Sequence, residues 1–477
     1  MPVYDLVIHG GTVVTPHGVF SSDVAVLGEK IAALGDLPEG KNNVDASGKF
    51  VLPGVIDSHV HLALDTGETV SSDDFYSGTV AAACGGVTSV MDFSAGSRER
   101  AIPDDIRIRL ETAAPSVVDY SLHGEVIGWH PGREEEISAA MELGVGSFKF
   151  FMAYGKSGKR TALGEMLQAF GTLAAKGAVA LVHAEEENII EACSSRLSPE
   201  EKGSMGSVAA ARPDLCEAAA VNEAGWAAAV TGVRCHVVHL SSARGLEEVR
   251  QARRRGAAMT AETCPQYLLL SSDVYGRPEG HLFSAAPALR SREDNEVLWK
   301  GLASGNLDFA ASDHCPFTRA QKKWRGTFEG LPGGLPGVET LLPILYSEGV
   351  LRGRLTLCDL ARITSENAAR LFGLYPRKGC LLPGSDADMV LLDPEEAWTV
   401  RAGTLRTNAD FSPYEGLQLK GKVSSTLSRG ELVYSEGCFL GKKGRGKFLP
   451  RRRAERFGSL SSTGAHSVGG LFLGTAP

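Results

Sequence analysis

Phe50-Val51-Leu52-Pro53-Gly54-Val55-Ile56-Asp57-Ser58-His59-Val60-His61 decides the fold. An apolar run gives way to a polar end in which His59 and His61 stand two residues apart. In an extended segment alternate side chains point the same way, so both imidazoles face one side. Seven more apolar runs of this kind follow, each succeeded by a polar cluster and a longer stretch rich in Ala and Glu. They end near Asp92, Glu125, Lys149, His183, His239, Glu262 and Asp313. Eight strands alternating with helices over about 320 residues predict a (β/α)8 barrel, whose functional residues sit at the C-terminal ends of its strands.

Outward from the barrel, both chain ends have a different texture. Short strands are predicted at 5–9, 12–14, 24–26 and 31–34, and again at 387–392, 421–427 and 431–434, each bounded by Gly, Pro or Asp. The expected α/β organisation is therefore a TIM-like barrel over 53–375 with a small β-sandwich built from 1–52 and 376–440. Residues 441–477 form a C-terminal arm and tail. Within that arm the basic residues 442–447 and 451–453 are expected to be solvated or packed on a neighbouring subunit, and the last twenty residues to be disordered.

Across 477 residues, 49 Lys and Arg against 57 Asp and Glu leave a net charge of −8, which excludes a general nucleic-acid binder. Hydrophobic residues at 43% and charged ones at 22% are the balance of a globular chain. The nine cysteines are odd in number and scattered, which reads as reduced thiols. The N-terminus has no secretory pattern and no apolar stretch is long enough for a membrane span, so a cytoplasmic protein without membrane partners is expected.

Chemistry is suggested by what the strand ends carry. His59 and His61 could clasp one metal ion or be exposed turn histidines. Lys149 interrupts an aromatic, apolar strand, where burial would lower its pKa and let a neutral amine take up CO2 as an anionic carbamate; a lysine snorkelling to the barrel mouth is the plainer alternative. His183 and His239 each follow an apolar strand, and Asp313 could bind metal, accept a proton or merely cap a loop. Taken together, four imidazoles, one carbamate and one carboxylate suffice for a two-metal site with room for a bridging hydroxide. Imidazole ligands favour Zn, with Mn, Co or Ni as substitutes.

The motifs GVIDSHVH (54–61), AACGGVT (82–88), SFK (147–149), VHLS (238–241), ETCPQYL (262–268), SDHCPF (312–317), GLPGVE (334–339) and GSDAD (384–388) run nearly end to end. The chain resembles in these the amidohydrolase superfamily and, within it, the cyclic amidohydrolases dihydropyrimidinase and D-hydantoinase. The resemblance implies that His59, His61, His183, His239 and Asp313 bind two metals bridged by carboxylated Lys149. It further implies that Tyr154 donates to the substrate carbonyl, and that Asp313 shuttles the proton as a hydantoin or dihydropyrimidine opens to an N-carbamoyl amino acid. A homotetramer or homodimer is implied as well.

Two substrate-contacting positions depart from the family pattern: Ala286 stands where a serine is usual, and Gly333 where an asparagine is. Loops around 64–66 and 156–158 are expected to wall the pocket. Ala63 occupies the position where a dihydroorotase would carry arginine, whereas allantoinase is excluded less firmly. A scaffold protein of this fold would lack the metal ligands. His314 is expected to orient a ligand, and His123, His130 and His236 to be structural.

Overall fold

The protein is described from residue 3 to residue 451 by a computed structural model. Eight parallel strands form one sheet: β1 (Val55–Val60), β2 (Val87–Phe93), β3 (Asp119–Glu125), β4 (Ser147–Phe151), β5 (Val179–His183), β6 (Arg234–Val237), β7 (Met259–Thr263) and β8 (Phe309–Ala310), paired in that order. The segment after β8 returns to β1, with a parallel bridge between Val60 and His314 and a His61 N–H bond to the His314 carbonyl at 2.8 Å. The barrel is thereby closed to near completion. Its strands are buried on both faces, so buried polar residues such as Asp57, Asp119 and His123 stand among the apolar ones in place of an alternation with exposed residues.

Several strands end away from the expected residue. Lys149 lies in the middle of β4, while β6 stops two residues before His239 and β8 three before Asp313. The strand ends thus give way to irregular backbone that carries the unusual side chains.

Both chain ends pair into common sheets. Phe50–Pro53 runs antiparallel to Met389–Thr399, with Val51 opposite Leu391 and Pro53 opposite Met389, inside a seven-stranded sheet. A four-stranded sheet of N-terminal strands covers it, and Ile8, Val24, Val26, Val51, Met389 and Leu427 pack in the core between them. Strands Gly18–Ser21, Asn42–Asp45 and Cys438–Phe439 were not anticipated. Asn42–Asp45 is polar and largely exposed, and forms through main-chain pairing with Leu6–His9, so no apolar alternation announces it. The buried Lys378 ammonium joins barrel and sandwich, 2.7 Å from Asp119 on β3 and 2.6 Å from Asp388.

The basic arm docks through its main chain. That main chain packs along its own barrel up to Arg451, while Lys442, Lys443 and Lys447 remain exposed. Tyr120 donates its N–H to the Lys447 carbonyl at 3.0 Å, and Leu449 donates back to Tyr120 at 2.7 Å. Lys447 reaches Glu29 at 2.7 Å, and the buried Arg451 donates to Ser147 Oγ at 2.7 Å. Unpaired main chain at the start of β3 and nearby carboxylates give the arm local partners. Arg452, Arg453 and the Gly- and Ser-rich end lie outside the described residues.

Candidate metal centre

The end of β1 presents His59 and His61 on one side, as their spacing requires. Their Nε2 atoms stand 3.2 Å apart, and each is 3.3 Å from Asp313 Oδ1, which arrives from the segment after β8. One donor atom from each of these three residues lies within 4.8 Å of the others, a grouping able to hold a metal ion.

A second pair sits beside the first. His183 Nδ1 at the end of β5 is 2.9 Å from His239 Nε2, and the His239 and His59 rings are 5.3 Å apart between centroids. Burial lowers the pKa of His59, His183 and His239, which favours their neutral forms. Asp313 is held below the usual carboxylate range: burial alone would raise it, but His59, His61 and Lys149 outweigh that.

Two carboxylates absent from the sequence-based ligand set fix the tautomers. Glu262 on β7 accepts from His59 Nδ1 at 2.6 Å, and Glu185 accepts from His183 Nε2 at 2.9 Å. A ring that donates through one nitrogen must present a lone pair at the other. His59 Nε2 and His183 Nδ1 therefore turn lone pairs toward His61 Nε2, Asp313 Oδ1 and His239 Nε2, an arrangement that a cation between them would satisfy. Carboxylate–histidine pairs of this kind orient metal ligands. Glu185 was detectable, since it stands two residues beyond His183. Glu262 was noted only as a strand end; it also receives His236 Nε2 at 3.2 Å, which makes His236 an indirect support of His59.

Lys149 is 2% exposed, its ammonium 5.1 Å from the Phe93 ring centre and 5.3 Å from that of Phe151. Burial brings its pKa down to about 8, against the opposing pull of Asp313, Glu262 and Glu125. Tyr154 lies in the turn leaving β4, its ring 4.9 Å from that of His183. Burial pushes its phenol up to about 12. Tyr154, His239 and Asp313 all have left-handed backbone, with φ of 69°, 41° and 50°. Such conformations cost on the order of 1–3 kcal/mol each in non-glycine residues and cluster at functional sites.

Ala286 and Gly333 are brought together by the fold: a Cβ added to Gly333 would lie 3.6 Å from Ala286 Cβ. Their loops are tied to each other by Gly334 N–H donating to the Ser284 carbonyl at 3.0 Å, and to the Asp313 segment by Cys315 N–H donating to Leu335 at 3.1 Å. His314 supports His61 through its main chain and not through its ring. Its Nε2 faces Asp73 at 3.0 Å and its Nδ1 accepts from Gly337 N–H at 3.1 Å, so the ring braces loops while only its carbonyl steadies His61.

Residues 50–433 match the family model described as "Amidohydrolase family", and the chain belongs to that family. Similar proteins narrow the class. D-phenylhydantoinase of Escherichia coli O17:K52:H18 is 37% identical over 462 residues, covering 94% of this chain and 98% of that protein. The crystal structure of dihydropyrimidinase from Brevibacillus agri NCHU1002 is 36% identical with a TM-score of 0.92, covering 94% of this chain and 99% of its own. The structure of D-hydantoinase from Bacillus sp. AR9 is 37% identical with a TM-score of 0.92, covering 94% and 100%. The protein is a cyclic amidohydrolase of the hydantoinase and dihydropyrimidinase type. Among the described residues no helix is long and apolar enough to cross a membrane.

Proposed function

We propose that the protein hydrolyses the cyclic amide bond of hydantoins or dihydropyrimidines to give N-carbamoyl amino acids. The observation that carries this is the meeting of His59, His61 and Asp313 with the His183–His239 pair, their tautomers set by Glu262 and Glu185. These five residues would hold two divalent cations, zinc by preference, with Lys149 supplying oxygen ligands to both after carboxylation. A pKa near 8 in place of about 10.5 raises the neutral amine fraction at pH 7 about three-hundredfold. The neutral nitrogen adds to the carbon of CO2 and releases a proton, leaving a carbamate anion. The bound cations would supply a water deprotonated near neutral pH and polarise the ring carbonyl.

The remaining steps belong to side chains. Asp313 accepts the proton of the attacking water and returns it to the ring nitrogen as the C–N bond breaks. The Tyr154 hydroxyl donates to the carbonyl oxygen as negative charge develops. Ala286 and Gly333 border the substrate with main-chain groups, and the loops at 64–66 and 156–158 wall the pocket. A homotetramer or homodimer in the cytoplasm is the expected assembly.

Turnover of hydantoin, 5-phenylhydantoin, dihydrouracil and allantoin, with metal analysis and the chirality of each product, tests this reading. Hydrolysis of the first three by a zinc-containing protein is expected; exclusive use of allantoin, or a protein free of metal after growth in zinc, would overturn it. Tyr154→Phe is expected to lower kcat about a hundredfold with zinc content unchanged. Glu262→Gln is expected to weaken zinc binding about 10–100-fold in competition with a chelator, because the His59 imidazole loses a charged acceptor.

A further inference from the structure

A donor to a developing oxyanion works only if its hydroxyl is already in place. Tyr154 is held in its left-handed turn from the segment that follows β5. Gly155 N–H donates to Glu187 Oε1 at 2.7 Å, and a Cβ at Gly155 would lie 2.5 Å from Glu187 Oε2, so a larger residue would push this carboxylate aside. Two residues earlier, Glu185 grips Arg212 through both oxygens, with Nε at 3.2 Å from Oε1 and Nη2 bonded to Oε2. The guanidinium lies 5.7 Å from the Tyr154 ring centre. Its own main chain is anchored by Arg290, whose Nη1 donates to the Arg212 carbonyl.

The same Glu185 oxygen that receives Arg212 receives His183 Nε2 at 2.9 Å. One guanidinium thus rests on the phenol ring and on the carboxylate that orients an imidazole. The forked side chain suits this double contact, since a planar guanidinium can pair bidentately along one edge and stack on an aromatic face.

We propose that Arg212 is a positioning residue that fixes the Tyr154 hydroxyl relative to His183, acting through Glu185 on one side and the phenol ring on the other. This rests on the reading of Tyr154 given above. Because Arg212 acts through that hydroxyl, its loss matters less once the hydroxyl is gone. Because it also steadies Glu185, its loss loosens the metal held by His183.

Arg212→Met, Arg212→Lys, Tyr154→Phe and the double variant Arg212→Met/Tyr154→Phe are assayed on hydantoin in saturating zinc, and zinc retained after dialysis is measured separately. Arg212→Met is expected to lower kcat about 30-fold with little change in KM, and to lower it less than about threefold in the Tyr154→Phe background. Dialysed Arg212→Met should keep at most about half of the wild-type zinc, while Arg212→Lys, which retains the charge, keeps more. If Arg212→Met does not fold, Arg212→Lys carries the same cycle, with about a tenfold loss expected in the wild-type background and almost none without the hydroxyl. A wild-type rate for Tyr154→Phe alone would remove the reading of Tyr154 and this inference with it. A slow Tyr154→Phe, combined with an equal cost of the Arg212 substitution in both backgrounds, would overturn the positioning role alone.

Discussion

Lys149→Ala is expected to lose bound zinc and turnover together, with kcat falling at least about a thousandfold. The position explains the size of the effect. The side chain is enclosed between Phe93 and Phe151, and among the described residues its ammonium has no hydrogen-bonded or ion-paired partner. An unpaired buried ammonium is costly, so burial enlarges the uncharged fraction, and the proposed carbamate would bring two oxygens sharing one negative charge to a cluster otherwise served by four imidazoles and one carboxylate. Removing it leaves too little negative charge for two divalent cations. Lys149→Met, which keeps most of the volume, should show the same loss and thereby separate ligation from packing. Added acetate or propionate should restore part of the zinc and part of the rate by placing a carboxylate in the vacated space. A variant that kept full zinc and full rate would end the carbamate proposal.

What was legible beforehand follows a physical rule. Strands buried on both faces are rich in apolar residues, so most of the barrel runs and the residues that interrupt them stood out, Lys149 most of all. Paired imidazoles at His59 and His61 were legible because strand alternation is local. Contacts made across the fold were not. Glu262 meets His59 from 203 positions away in the chain, and nothing in its own surroundings distinguishes it from a strand-ending acid. Arg212 follows a short helix, Val208–Ala211, and reads as a surface residue until the fold sets it against Glu185 and Tyr154. The arm at 441–451 has the composition of a solvated tail, yet the open edge of β3 gives it a seat that composition cannot report. His314 supports a ligand through its main chain, which accepts the His61 N–H, while its side chain faces Asp73.

The left-handed residue Asp313 gives the sharpest separation of chemistry from assembly. Asp313→Asn is expected to lower kcat about a thousandfold or more on hydantoin while the fold and most of the zinc remain. Asparagine tolerates the φ of 50° as well as aspartate does and fills the same space, so melting should shift little. Its amide oxygen can still approach the Nε2 atoms of His59 and His61, where Asp313 Oδ1 now stands 3.3 Å from each. It cannot accept the proton of the attacking water or deliver one to the departing nitrogen. The loss should therefore depend on the leaving group, being greatest for rings whose nitrogen is the more basic and smaller where a second acyl group makes that nitrogen a better leaving group. Full zinc with a large and leaving-group-dependent loss of kcat would assign Asp313 both proton transfers. Loss of zinc in proportion to rate would reduce it to a ligand, and the proton would then have to travel by a group other than Asp313.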